Sequence, residues 1–128
     1  MSYEEIQLLF KDLCSRIPHG VAYRWEGKEG EDDLPHFLNG MNEWMIFYIQ
    51  NGNIKPYLRS MEDMTEKERN EYLSLKMQEC ERVALAEVYR PEAISIIMDW
   101  LNAHHFDYRG LIERGLAIRV TKDNNPYK

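Results

Sequence analysis

The sequence holds only two cysteines, Cys14 and Cys80, among 128 residues. Two thiols cannot supply the multi-bridge framework on which small secreted domains rely. Both fall on the apolar helix faces described below, so two reduced thiols acting as small hydrophobes are expected, with a single bridge left open on count alone. Long hydrophobic runs are missing too. The longest, Trp44 to Ile49, is far short of the roughly 20 residues of a membrane helix. The opening Met1-Ser2-Tyr3-Glu4-Glu5 lacks the basic and apolar regions of a signal peptide. By elimination the expected location is cytoplasmic, with no membrane contact. Positive charge is scarce: 16 Lys and Arg against 22 Asp and Glu leave a net charge of −6. That argues against a dedicated nucleic-acid binder, which needs cations to displace the counterions of phosphate. The deficit is concentrated in residues 1–64, with 11 acids and 6 bases, whereas residues 65–128 carry 11 and 10.

Catalytic signatures are absent as well. There is no Gly-x-Ser-x-Gly elbow, no His-Glu-x-x-His pair and no glycine-rich phosphate loop opening a helix. Gly27 and Gly30 lie among Glu26, Glu29, Glu31, Asp32 and Asp33, where a phosphate would be repelled. That run lacks the ligand spacing of a calcium loop and reads as an exposed acidic loop over Gly27 to Asp33. No cofactor is expected.

What is present is an ordinary globular composition, 44% hydrophobic and 30% charged, at the length of one domain spanning 1–128. Ser2 and Glu5 form a capping box, and Ile6, Leu9, Phe10, Leu13 and Ile17 then trace one helical face up to Pro18 and Gly20. Val21 to Trp25 is rich in strand formers. Leu34 to Asn42 is punctuated by Pro35, Asn39 and Gly40 and reads as mostly irregular. Trp44 to Ile49 is apolar without alternation, the pattern of a strand covered on both faces. Asn51-Gly52 suits a type I′ turn, with Ile54 to Leu58 as the returning hairpin strand. Pro56 would hold that strand to an edge or end it early. Thr65 and Glu68 form a second capping box beside Met64. A stripe of Leu73, Met77, Cys80 and Ala84, widened by Tyr72, Leu75 and Val83, follows to about Tyr89. Val83 to Val88 is open to helix or short strand, with Ala-Leu-Ala-Glu favouring helix. Pro91 starts a helix with Ile94, Ile97, Met98 and Leu101 on one face and Ile96 and Trp100 off it. Asp107 would cap a short helix over Tyr108 to Arg114, closed by Gly115, before a final strand at Leu116 to Val120. Asp123 to Pro126 reads as a turn or frayed tail. The fold class is therefore α+β: an N-terminal helix, a small antiparallel sheet with a hairpin turn at Asn51-Gly52, and a helical C-terminal half ending in a short strand.

The functional residues are sought in Asp99 to Val120. His104, His105 and Asp107, near Asp99 and Glu113, could ligate a metal or serve a small metal-dependent hydrolase. Adjacent histidines point about 100° apart on a helix, however, and the plainer reading is a helix end, with imidazoles at the negative end of the dipole. A Cys14–His19 nucleophilic pair is conceivable, though Pro18 intervenes. Nucleic-acid contact through the last helix and strand is a third reading, opposed by the acidity. Fifteen aromatics are many for this length; most must be core, and a few could form a contact surface. Trp100, His104, His105, Tyr108 and Arg109 are the candidate binding residues, because Trp, Tyr and Arg dominate protein–protein contacts. Tyr108 and Arg109 in particular have no structural duty legible in the sequence. The expected partner is a protein or peptide.

Three stretches carry a resemblance. They are Asp12 to Val21, Ile54 to Met61 followed by Met64-Thr65-Glu66, and Asp99 to Glu113 followed by Gly115-Leu116-Ala117-Ile118. Together they resemble a family of small uncharacterised proteins of gut Bacteroidetes and their prophages. The likeness covers about half of the chain and implies a genomic setting, with no activity attached. The expectation drawn from all of this is a non-enzymatic protein-binding or accessory module.

Overall fold

The computed structural model describes residues 1–26, 32–86 and 91–127; the side chains at 32–34, 79–86 and 91–95 lie outside that description. The fold is α+β, with helices packed on a small mixed sheet. Helix α1 spans Tyr3–Arg16 and is followed by a 3-10 turn at Ile17–His19. Its capping box forms as expected: the Glu5 N–H donates to Ser2 Oγ at 3.2 Å and the Ser2 N–H to Glu5 Oε1 at 3.3 Å. Leu9 and Leu13 are buried at the centre of the core, with Ile6 and Phe10 packed around them.

Strand β1 (Ala22–Trp25) pairs antiparallel with β2 (Asp32–Phe37) on one side and with β3 (Ile54–Ser60) on the other. Asp32 and Asp33 thus belong to a strand and not to the expected acidic loop, whose residues 27–31 lie outside the described residues. Leu34 to Phe37, expected to be irregular, is also strand. Pro35 is tolerated there because β2 pairs only with β1 and forms the end of the sheet path.

The largest departure lies at residues 43–50. Trp44 to Ile49 is not a strand but part of helix α2 (Glu43–Gln50). Asn42 caps it, its side-chain oxygen accepting the Met45 N–H at 3.0 Å. A uniformly apolar run hides its period. Only burial reveals that Met45 and Ile49 face the core while Trp44 and Phe47 face out. The hairpin at Asn51-Gly52 is corrected with it. Asn51 ends α2, and Gly52, at φ +72°, donates its N–H to the Ile49 carbonyl at 3.1 Å. The left-handed conformation that Asn-Gly favours serves a helix C-terminus as readily as a hairpin.

Nor is β3 an edge. It pairs with β1 along its first half. Its second half runs parallel to β5 (Ile118–Arg119) and β4 (Phe106–Asp107), which makes the sheet mixed, not antiparallel. Pro56 is accommodated by register. Glu26 donates to the Asn53 carbonyl at 2.7 Å, so Arg24–Lys55 is the next hydrogen-bonded pair and Tyr23–Pro56 falls at the open pair between ladder bonds. Where the next ladder bond would form, the chain's Tyr127 intervenes. The Ala22 N–H donates to Tyr127 Oη at 3.0 Å, and the Tyr127 hydroxyl donates to the Tyr57 carbonyl at 2.6 Å. The C-terminal segment is therefore anchored; of the two expectations for it, the turn holds and the frayed tail does not.

After a 3-10 turn at Met61–Asp63 come α3 (Glu66–Ala86) and α4 (Pro91–Ala103). The Thr65–Glu68 box forms in both directions, at 3.0 and 3.1 Å. The open choice over Val83 to Val88 resolves to helix through Ala86, and residues 87–90 lie outside the described ones. The expected inward stripe of α3 is rotated by one residue. Leu73 and Met77 are 48% and 65% exposed, while Glu68, Tyr72 and Leu75, at i, i+4 and i+7, face inward. Side chains of Cys80 and Ala84 lie outside the described set. On α4, Leu101 is buried and Ile96 exposed, as the pattern implies.

Candidate binding surface

Helix α4 ends on Trp100 to Ala103, and of the two imidazoles expected at its negative end only that of His104 meets the last turn. The His104 Nδ1–H donates to the Trp100 carbonyl at 2.8 Å; a carbonyl only accepts, so the proton sits on Nδ1. The His104 ring also stacks on Trp100 at 4.2 Å. Trp100 is one member of a longer stack, with Tyr72 of α3 at 5.8 Å and Phe106 of β4 at 5.8 Å. The Arg59 guanidinium lies over Phe106 at 4.3 Å and grips Glu68 at 2.6 and 2.7 Å. That grip and the Thr65 cap hold the Glu68 carboxyl down to about 2, against an ordinary 4.5.

His105 follows with φ +63°, a left-handed residue at the helix exit. Its ring lies flat on Tyr127, centroids 3.5 Å apart. The imidazoles of His104 and His105 therefore serve different contacts. Among the described residues, no group of three or more His, Cys, Asp or Glu side chains converges on a metal position. Cys14 carries a free thiol, half-buried, and burial raises its pKa.

Asp107 acts as foreseen in kind but not in register. Its two oxygens accept the Leu111 and Ile112 N–H groups, both at 2.9 Å, four and five residues on. A helix cap would bond two or three residues on. Gly110 at φ +75° lengthens the loop, and residues 111–115 form consecutive turns where a short helix over Tyr108 to Arg114 was expected. Gly115, at φ +74°, closes them as expected.

Tyr108 and Arg109 acquire structural partners here. The Tyr108 hydroxyl donates to Asn102 Oδ1 at 2.8 Å, and the guanidinium carbons of Arg16 and Arg109 lie 5.1 and 4.7 Å from its ring centre. Arg109 Nη1 donates to Asp12 Oδ1 at 2.8 Å and to Ser15 Oγ at 3.1 Å. Asp12 also holds Arg16 at 2.8 and 3.1 Å, and Arg16 Nη2 donates to the Phe106 carbonyl at 2.6 Å. One carboxylate thus ties α1 to the segment after α4. Sequence reasoning missed this pair although a signal existed: Asp12 and Arg16, at i and i+4, sit on the Leu9–Leu13 face instead of opposite it.

Two hollows border the nominated residues. One, of about 470 Å³, is lined by Ser60, Glu62, Tyr72, Tyr108, Glu113 and Arg119. The other, of about 490 Å³, lies along α3 beside Glu71, Ser74, Leu75 and Trp100. Trp100 and Tyr108 line these hollows, while His104, His105 and Arg109 are engaged in holding neighbours. The surface that sequence reasoning missed is on α2. Trp44 and Phe47, one turn apart, are 69% and 53% exposed. The Asn42 cap was the available signal for that helix.

His105 should give the fold an acid sensitivity. Burial, and then the charges of Arg16, Arg59, His104 and His19, push it down to about 4 from an ordinary 6.5. The folded chain keeps this imidazole neutral over a range in which the unfolded chain protonates it. Its contribution is complete above pH 6.5 and drains away as pH falls toward 4. Allowing for the ring's partial exposure, about 1–2 kcal/mol is at stake. Urea denaturation at pH 7.5 and 4.5 measures it, and His105→Phe should flatten the difference. An unchanged difference in that variant would exclude the assignment.

Comparison of the chain with protein-family models, curated proteins and solved structures found no match.

Proposed function

We propose that this chain is a non-enzymatic protein-binding or accessory module, of prophage or other mobile-element origin, and that its partner seats on the outer face of α2. The observation that carries the reading is the pair Trp44 and Phe47, two large aromatics presented side by side to solvent. Covering such side chains releases roughly 1.5–3 kcal/mol each, and aromatic anchors of this kind dominate interface energetics. The pair sits on a helix capped by Asn42 and closed by Gly52, so the backbone that carries the two rings is ordered before any partner arrives.

The test is affinity capture with the whole chain, identification of the captured protein, and titration of the purified pair. Trp44→Ala with Phe47→Ala should weaken binding by about 10- to 100-fold, the cost of losing one or two anchors, while the melting temperature barely moves. Failure to recover any protein above background, or equal capture by the double variant, refutes the proposal.

A further inference from the structure

Beyond Val120, whose N–H donates to the Leu58 carbonyl at 2.9 Å, the chain bonds back on itself. Asn124 Oδ1 accepts the Thr121 N–H, Asn124 Nδ2 donates to the Arg119 carbonyl at 3.1 Å, and Asn125 Oδ1 accepts the Tyr127 N–H at 2.9 Å. Residues 121–127 thus carry hydrogen bonds of their own. Tyr127 is where this unit meets the sheet. Its hydroxyl stands between Ala22 and Tyr57, and its ring lies flat on His105, centroids 3.5 Å apart and planes within 6° of parallel. One side chain therefore covers two polar groups of neighbouring strands and one face of an imidazole.

The imidazole is the part of this contact that can change charge. Arg16 of α1, Arg59 of β3, His104 beside it and His19 of the 3-10 turn act on it, and each is or can become a cation. From the C-terminal segment it meets the neutral Tyr127 phenol. The carboxylate of this neighbourhood, Asp12 of α1, is engaged by Arg16 and Arg109. His105 Nδ1 is buried with no partner among the described residues, so an imidazolium would hold an N–H with nothing to accept it. Lifting Tyr127 away exposes one face of the ring to solvent, which favours the charged form. Protonation and closure thus oppose each other.

We propose that residues 121–127 form an acid-released strap, hinged at Val120 and latched by the stack of Tyr127 on His105, which opens while the rest of the fold stays intact. In the closed state, burial and the surrounding charges hold His105 down to about 4; in the open state the ring returns toward 6.5. Closure is fully favoured above pH 6.5 and weakens as pH falls toward 4, so the open fraction should rise by about 10- to 30-fold between pH 7.5 and 5. Opening leaves the Ala22 N–H and the Tyr57 carbonyl facing solvent.

Amide exchange of the whole chain, corrected for the chemical exchange rate at each pH, reads the opening at the Ala22 N–H. Protection there should fall by about 10- to 30-fold from pH 7.5 to 5. At pH 5 Ala22 should exchange ahead of Arg24 and Val120, and low urea should leave its rate unchanged, the mark of a local opening. In His105→Phe, which keeps a ring against Tyr127 but cannot titrate, the pH dependence should vanish. Three results would overturn the proposal. Protection at Ala22 that holds or rises on acidification would mean that the phenol face retains the imidazolium. One protection factor shared by Ala22 and Arg24 at pH 5 would mean that the segment leaves only when the whole chain unfolds. A pH dependence that persists in folded His105→Phe would remove His105 as the latch. The first two are read on the unmodified chain, so a folding defect in the variant leaves the proposal open to refutation.

Discussion

Asp12→Ala is expected to destabilise the fold by about 3–5 kcal/mol, the range for removing one partner of a buried ion pair. Asp12 and Arg16 have no exposed side-chain surface, and Arg109 is largely covered. The variant would leave two guanidinium groups beside the Tyr108 ring with no carboxylate between them. Alanine at this position also removes the carboxylate that joins α1 to Arg109, leaving the Arg16–Phe106 and Arg109–Ser15 bonds to hold the two segments. Asp12→Asn should cost less, because the amide oxygen still accepts one bond. Chemical denaturation monitored by far-UV circular dichroism gives the numbers. A loss below about 1 kcal/mol, the scale of an exposed pair, would mean that the pair is solvated and that this account of the joint is wrong.

Tyr127 should rank next. Tyr127→Phe keeps the ring on His105 but removes the hydroxyl that accepts from Ala22 and donates to Tyr57. Ala22 and Tyr57 are both buried, so an N–H and a carbonyl lose their partner together, at about 1–3 kcal/mol. Tyr127→Ala also forfeits the stacked ring and its edge contact with Phe37, for a total of about 3–5 kcal/mol. Burial pushes the phenol up to about 12, which keeps its proton available for the Tyr57 carbonyl. Amide hydrogen exchange reads the local effect: the Ala22 N–H should lose protection in Tyr127→Phe, whereas Arg24 should not. Unchanged protection at Ala22 would remove Tyr127 from the ladder.

The fold class was legible because most helices announce themselves through their ends. Ser2 with Glu5, Thr65 with Glu68, and Pro91 are local chemistry, and local chemistry survives folding unchanged. The reading fails where tertiary context chooses. Trp44 to Ile49 is apolar at every position, so neither period shows, and Asn51-Gly52 serves helix exits and hairpins alike. Leu73 and Met77 keep a helical spacing, but the side that packs is set by Tyr72 meeting Trp100, a contact no window of sequence contains. The candidate site shows the same division. The helix-end role of His104 and the acceptor role of Asp107 follow from their neighbours in sequence. The duties of Tyr108 and Arg109 depend on Arg16 and Asp12 in α1, nearly the whole chain away.

That distance also bears on how the chain reaches its fold during synthesis. Arg16 waits for Phe106, 90 residues later; Asp12 waits 97 for Arg109; and Ala22 waits 105 for Tyr127. Contacts of such separation slow folding, because the loop must close before it is rewarded. A ribosome-bound chain lacking residues 106–127 would carry α1 with its Asp12–Arg16 pair short of the Phe106 and Arg109 partners and β1 without its final hydrogen bond. Such an intermediate exposes apolar surface for as long as translation lasts. Residues 106–127 therefore supply the late-made half of a joint: the apolar face of α1 can pack on earlier residues, but its polar contacts close only after these have emerged.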